Sequence, residues 1–181
     1  MLYITIPARE IFDPNTESFL YTKEQKLQLE HSLVSISKWE AKWKKPFLSD
    51  KNKTVEETRD YIRCMTITQN VDPNVYLGLT PDLFKQVMAY IDDTMTATTF
   101  SNEDPSRRKQ PQSFITSELI YYWMVKAQIP WEAEKWHLNR LLTLLHVYNN
   151  KEQPAKKMSR QDRKALMESR RAKSRARHPH K

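Results

Sequence analysis

The stretch "TKEQKLQLEHSLVSISKWEAKW", residues 22–43, decides the fold. Read at helical period, Leu29, Leu33, Ile36 and Trp43 fall three, four and seven apart, and Trp39 stands one turn before Trp43. Lys38 and Lys42, with Lys44 and Lys45 beyond, mostly point elsewhere, and Pro46 stops the run. The pattern predicts one amphipathic helix from Thr22 to Trp43, with Thr22 and Gln25 forming a capping box. Two readings of its tryptophans and lysines are open. In the plain one the indoles fill a core and the lysines are solvated; in the sharper one they grip an acidic or nucleic-acid partner.

Outward from this stretch, further helices are expected. One covers residues 54–68 with Thr54 as cap, and the next opens at Thr80 and Pro81 with Phe84, Val87, Met88 and Ile91 on its apolar face. "SELIYYWMVKAQ", residues 117–128, is apolar on most sides and reads as the central, most buried helix. A last helix runs from Trp131 to Asn149, with Leu138, Leu141, Leu142, Leu145 and Tyr148 on one face. "LYITIP", residues 2–7, alternates like a strand, but the other segments offer it little to pair with. It is expected to pair with another copy or to lie across the helices. Residues 99–113, with two prolines and the run Arg107, Arg108, Lys109, read as a polar loop.

The expected fold class is therefore all-α: a compact bundle of about five helices, flanked by an extended N-terminal arm (1–21) and a basic tail (154–181) around a helical domain (22–153). Composition supports this. Glycine averages about 7% of residues, and this chain of 181 has one, Gly78. Glycine-rich phosphate loops and strained nucleophile elbows are thereby disfavoured. The single cysteine, Cys64, excludes an intramolecular disulfide and a cysteine-rich zinc site, and reads as a buried, inert thiol. With no signal-peptide pattern and no membrane-length apolar run, the sequence reads as that of a soluble cytoplasmic protein with no membrane contact.

The net charge of +8 is unevenly placed. Residues 155–181 hold eleven Lys or Arg against Asp162 and Glu168, so the rest of the chain is close to neutral. The tail cations are Lys156, Lys157, Arg160, Arg163, Lys164, Arg170, Arg171, Lys173, Arg175, Arg177 and Lys181. Their segment is helix-prone but too poor in apolar residues to fold alone. The first ten are candidate contacts to nucleic acid or an acidic surface; the alternative is a solubilising tail.

Catalytic and metal-binding patterns are weak. Asp92 and Asp93 are adjacent and diverge on a helix, as do Glu56 and Glu57. Glu134 and His137 make one E-x-x-H pair where a di-iron bundle needs two. No catalytic residue, cofactor or metal is expected, and binding remains. Trp39, Trp43, Trp131 and Trp136 are the candidate protein-contact residues, and Trp123 reads as core.

The segments "YITIPAREIFDPNTESFLYTKEQKLQLEHSLVSISKWEAKWKKPFL", "YIRCMTITQNVDPNVY", "MTATTFS", "TSELIYYWMVKAQIPWEAEKWHLNRLLTLLHVYN" and "KKMSRQDRKALMESRRAKSR" resemble a family of small tailed-phage proteins, the tail assembly chaperones. The resemblance covers nearly the whole chain and includes no catalytic signature. It implies a helical protein of the bacterial host cytoplasm that coats the tape measure protein and recruits tail tube subunits. It also implies short and frameshift-extended forms absent from the finished virion. Self-association fits the extended arm. The rival expectations are a nucleic-acid-binding protein acting through its tail and a structural virion protein.

Overall fold

A computed structural model describes residues 1–13, 17–50, 52–99, 114–152, 164 and 167–170. The chain divides into two units, 1–147 and 148–181. The first carries four strands, β1 (Leu2–Ile6), β2 (Arg9–Asp13), β3 (Ser18–Thr22) and β4 (Gln25–Leu29). These are followed by α1 (Leu33–Trp43), α2 (Val55–Met65), α3 (Pro81–Asp92), α4 (Ser117–Lys126) and the start of α5 (Leu138–Glu152), with 3-10 turns at Pro73–Gly78 and Trp131–Lys135.

The fold is mixed α/β, which corrects the all-α expectation. β1 pairs with β4 and β2 with β3, both antiparallel. The residue numbers of every pair sum to 31 in both ladders, from Leu2↔Leu29 to Asp13↔Ser18. The N-terminal segment is thus one long ribbon in a single register, interrupted where Pro7 has no N–H to donate. The partner that "LYITIP" needs is Gln25–Leu29, a segment whose sequence pattern predicts the first turns of the long helix.

The reason is visible in the pattern. Gln, Lys and Leu favour helix weakly, but Leu27 and Leu29 are two apart, so as a strand both face one side. Paired with Ile4 and Leu2, that side puts Ile4, Ile6, Leu27 and Leu29 into the core. Each such side chain is worth about 1.5–3 kcal/mol of burial, far more than the propensity difference over five residues. Helix α1 therefore starts later than expected. Its capping box is Ser32 with Ser35, not Thr22 with Gln25, and Thr22 instead donates to Arg9 O at 3.1 Å across the ribbon.

The other helix starts agree with their signals. Thr54 and Glu57 form the capping box of α2, and Thr80 caps α3 with Pro81 in its first turn. Helix α4 departs from its reading as the most buried helix: Ser117, Ile120 and Met124 face the core while Tyr122 and Val125 are exposed. Its cap, Thr116, makes no side-chain capping bond to the helix backbone. The buried Glu40 of α1 supplies the acceptor instead, taking Ser117 N at 2.8 Å and Ser117 Oγ at 2.6 Å, while its other oxygen takes Phe47 N. The long last helix divides into the second 3-10 turn and α5, which buries Leu138, Leu141 and Leu145.

Gly78 is buried at the end of the first 3-10 turn, under the break in the ribbon. A Cβ there would sit 3.2 Å from Ile6 Cγ2 and 3.9 Å from Pro7 O. Ile6 has no exposed surface and little room to yield. Gly78→Ala is expected to cost about 1–3 kcal/mol, read as a lower urea midpoint at unchanged m-value. A midpoint equal to that of the parent chain would show that the ribbon does not cross at this distance.

Candidate functional site

The four candidate tryptophans have different fates. Trp39 is 0% exposed: its Nε1 donates to Glu57 O at 2.9 Å and its ring meets Phe47 edge-on at 5.1 Å between centroids. It belongs to the core. Trp43 is half-buried, stacked on Trp39 at 6.2 Å, and its Nε1 donates to Asp60 Oδ2 at 2.8 Å. Trp39 thus fills the core and Trp43 lies against it with one face toward solvent.

Trp131 and Trp136 are 58% and 37% exposed. Trp131 leads the second 3-10 turn, and its ring lies 5.8 Å from that of Tyr121 on α4. Tyr121 donates its hydroxyl to Glu134 at 3.0 Å, which fixes the turn against the helix. Burial first, and the Glu134 carboxylate second, push its pKa up to about 12, so the hydroxyl stays protonated as a donor. Next to it in sequence, Tyr122 and then Val125 stand on the outward face of α4. Trp136 carries the Arg140 guanidinium 4.7 Å from its ring centroid, a cation–π contact that holds the indole flat while leaving it accessible. Trp131 and Tyr121 thus form an aromatic contact at the surface of α4 and the second 3-10 turn, and Tyr122, Val125 and Trp136 are further exposed side chains on those elements and just before α5.

Tyr121, Tyr122 and Val125 were missed as site residues because a helix apolar on most sides was read as central. The same all-round apolarity also marks a helix with one face in the core and another left for a partner. A second group of exposed aromatics, Phe12, Phe19 and Tyr21, lies on one face of the β2–β3 ladder, with the Phe12 and Phe19 rings edge-to-face at 5.3 Å.

The E-x-x-H residues do not converge. Glu134 is held by Tyr121, and His137 Nε2 donates to Tyr90 O at 3.0 Å. Among the described residues no group of His, Cys, Asp or Glu is arranged to hold a metal ion. Nor is any described helix long and apolar enough to cross a membrane. Cys64 is half-buried, and burial pushes its thiol pKa up. Of the tail cations, Lys164 and Arg170 are exposed. Lys156, Lys157, Arg160, Arg163, Arg171, Lys173, Arg175 and Arg177 lie outside the described residues, as do Arg107, Arg108 and Lys109.

Beneath this surface the core holds a polar cluster that seats α5. His31 Nδ1 and the Tyr61 hydroxyl are 2.5 Å apart, the His31 and His137 rings are 5.1 Å apart, and Leu138 N donates to His31 O at 2.7 Å. No family model matches the chain, and neither does any curated protein or solved structure.

Burial, and then the proximity of His137, push the His31 pKa from 6.5 down to about 3. The unfolded chain takes up a proton at His31 as pH falls through 6.5, while the folded chain does not until about 3. The stabilisation is complete above 6.5 and is lost toward 3, at up to about 1.4 kcal/mol per pH unit. The urea midpoint is expected to fall between pH 7.5 and 5, before carboxylates titrate, and His31→Gln should flatten that slope. An equal slope in both proteins would place the titration elsewhere.

Proposed function

We propose that the protein is a non-enzymatic binding protein that holds a helical partner on the aromatic surface of α4 and the second 3-10 turn, in the manner of a phage tail assembly chaperone acting on the tape measure protein. The observation that carries this reading is the exposure of Trp131, whose ring lies tilted against that of Tyr121 and is positioned by the Tyr121–Glu134 bond, with Tyr122 and Val125 outward on the same helix as Tyr121. Large rings held in place at a surface lose little side-chain entropy on binding, which is why Trp and Tyr dominate the energetics of protein contacts. An amphipathic helix lays its apolar stripe on such a surface through anchors three and four residues apart. The tail assembly role itself is supported by the resemblance of the sequence segments. The tail tube protein is then the second partner, the bacterial cytoplasm the site of action, and the basic tail an auxiliary arm.

Co-expression with the tape measure protein of the same phage tests the reading. The chain is expected to co-purify with it at high salt, and removal of residues 154–181 should leave the complex intact. Trp131→Ala with Tyr122→Ala should weaken it at least tenfold, since anchors of this type carry about 2 kcal/mol or more. Binding that disappears with the tail and is unaffected by the two substitutions would overturn the reading in favour of the basic arm. A steep loss of nucleic acid with salt would then identify that partner.

A further inference from the structure

The described body contains a second feature that the aromatic surface does not use. Helices α1 and α2 pack side by side and carry two pairs of cations spaced four residues apart, Lys38 and Lys42 on α1 and Arg59 and Arg63 on α2; Lys42 and Arg63 line both a cleft that holds Arg59 and an adjoining recess that holds Lys38 and Cys64. Spacing of four places both members of each pair on one helix face. The cleft of about 300 Å³ is closed on its far side by Pro73, Tyr76 and Leu77 of the first 3-10 turn.

Two carboxylates, Glu56 and Asp60, share the cleft with Lys42, Arg59 and Arg63. Asp60 is already saturated. It accepts Lys42 Nζ at 2.7 Å, Arg63 Nη2 at 2.8 Å and Trp43 Nε1 at 2.8 Å. Burial acts to raise its pKa, and the bonds from Lys42, Trp43 and Arg63 outweigh it, leaving a fixed anion below the usual range. Lys45 is likewise paired with Glu57 outside the cleft. Lys38 and Arg59 take part in none of the ion pairs among the described residues, and Arg59 Nε is shielded from solvent without a hydrogen-bond acceptor. Arg59 also lines the cleft, and a guanidinium without an ion pair is the group that best fits an oxyanion.

We infer that the α1–α2 cleft and the recess beside it are a docking site for an acidic peptide segment, in which one partner carboxylate meets Arg59, a second meets Lys38, and an adjacent apolar side chain rests on Pro73 and Leu77. The mixed lining selects this occupant over nucleic acid. The Glu56 carboxylate at the rim opposes a continuous run of phosphates but leaves room for one carboxylate. The cleft also offers no ring for base stacking: Tyr76 is buried, with its hydroxyl donated to Thr66. The site is separate in its residues from the Trp131 surface and does not depend on it.

Trp43 provides a local reporter, because its indole N–H is bonded to the saturated Asp60 at the cleft. The test uses the full chain labelled with 15N and a synthetic 14-residue amphipathic helix with glutamates four apart beside leucines. A matched peptide carries Gln in place of Glu. The Glu peptide is expected to shift the Trp43 indole resonance, and the Gln peptide to bind at least tenfold more weakly there. Lys38→Gln with Arg59→Gln should abolish the shift while leaving the other indole resonances, and hence the fold, in place. Trp131→Ala should leave the cleft titration unchanged, so failure at one site is distinguishable from failure at the other. A peptide that binds without moving the Trp43 resonance, a shift that survives the double substitution, or a larger shift with oligothymidylate would each overturn the assignment.

Discussion

Eight residues, Gln25 to Ser32, hold the described body together through backbone hydrogen bonds. On one edge β4 pairs with β1; on the other, Ile67 N donates to Gln28 O at 2.8 Å and Glu30 N to Met65 O at 2.9 Å, tying the strand to the end of α2. Immediately beyond, His31 O receives Leu138 N from α5, and Ser32 caps α1. The same segment sends Leu27 and Leu29 into the core and its polar side chains into buried bonds: Glu30 accepts from the Tyr90 hydroxyl of α3 at 2.7 Å, and His31 contacts Tyr61 of α2. Leaving any of these buried groups without its partner would cost about 1–3 kcal/mol, so the segment fixes four helices at once.

This arrangement explains how an almost neutral body can expose aromatic rings and remain a specific fold. The helices are oriented by the strand and its polar bonds, so α4 needs only Ile120 and Met124 in the core and the Glu40 carboxylate at its start. Of its remaining apolar residues, Leu119, Tyr121 and Trp123 are partly buried and Tyr122 and Val125 are left outward. Exposed rings of this kind are a solubility cost, and the proposed partner is what would cover them. The cationic cleft lies on different elements, so the two surfaces offer apolar and charged contacts independently.

The parts of the structure legible in the sequence are those with local signals. Thr54 and Glu57, Thr80 and Pro81, and the leucine stripe of α5 each announce their elements within a few residues. The ribbon was illegible for a physical reason. A strand is stabilised by a partner that can be far along the chain, and Leu27 and Leu29 are followed so closely by Leu33 and Ile36 that a period of two passes for the start of a period of three to four. Of the site, the exposure of Trp131 and Trp136 was legible from their charged neighbours, whereas the outward face of α4 and the placing of Lys38, Lys42, Arg59 and Arg63 along adjoining recesses depend on how the helices pack.

The central claim is that Gln25–Leu29 is a strand paired with Leu2–Ile6 and not the beginning of α1. Side-chain NOEs in the labelled protein test it most directly. The account predicts methyl contacts from Ile4 to Leu27 and from Leu2 to Leu29, together with strand-type chemical shifts over 25–29. Sequential helical contacts from Gln25 running unbroken into Leu33, without either cross-strand pair, would contradict it.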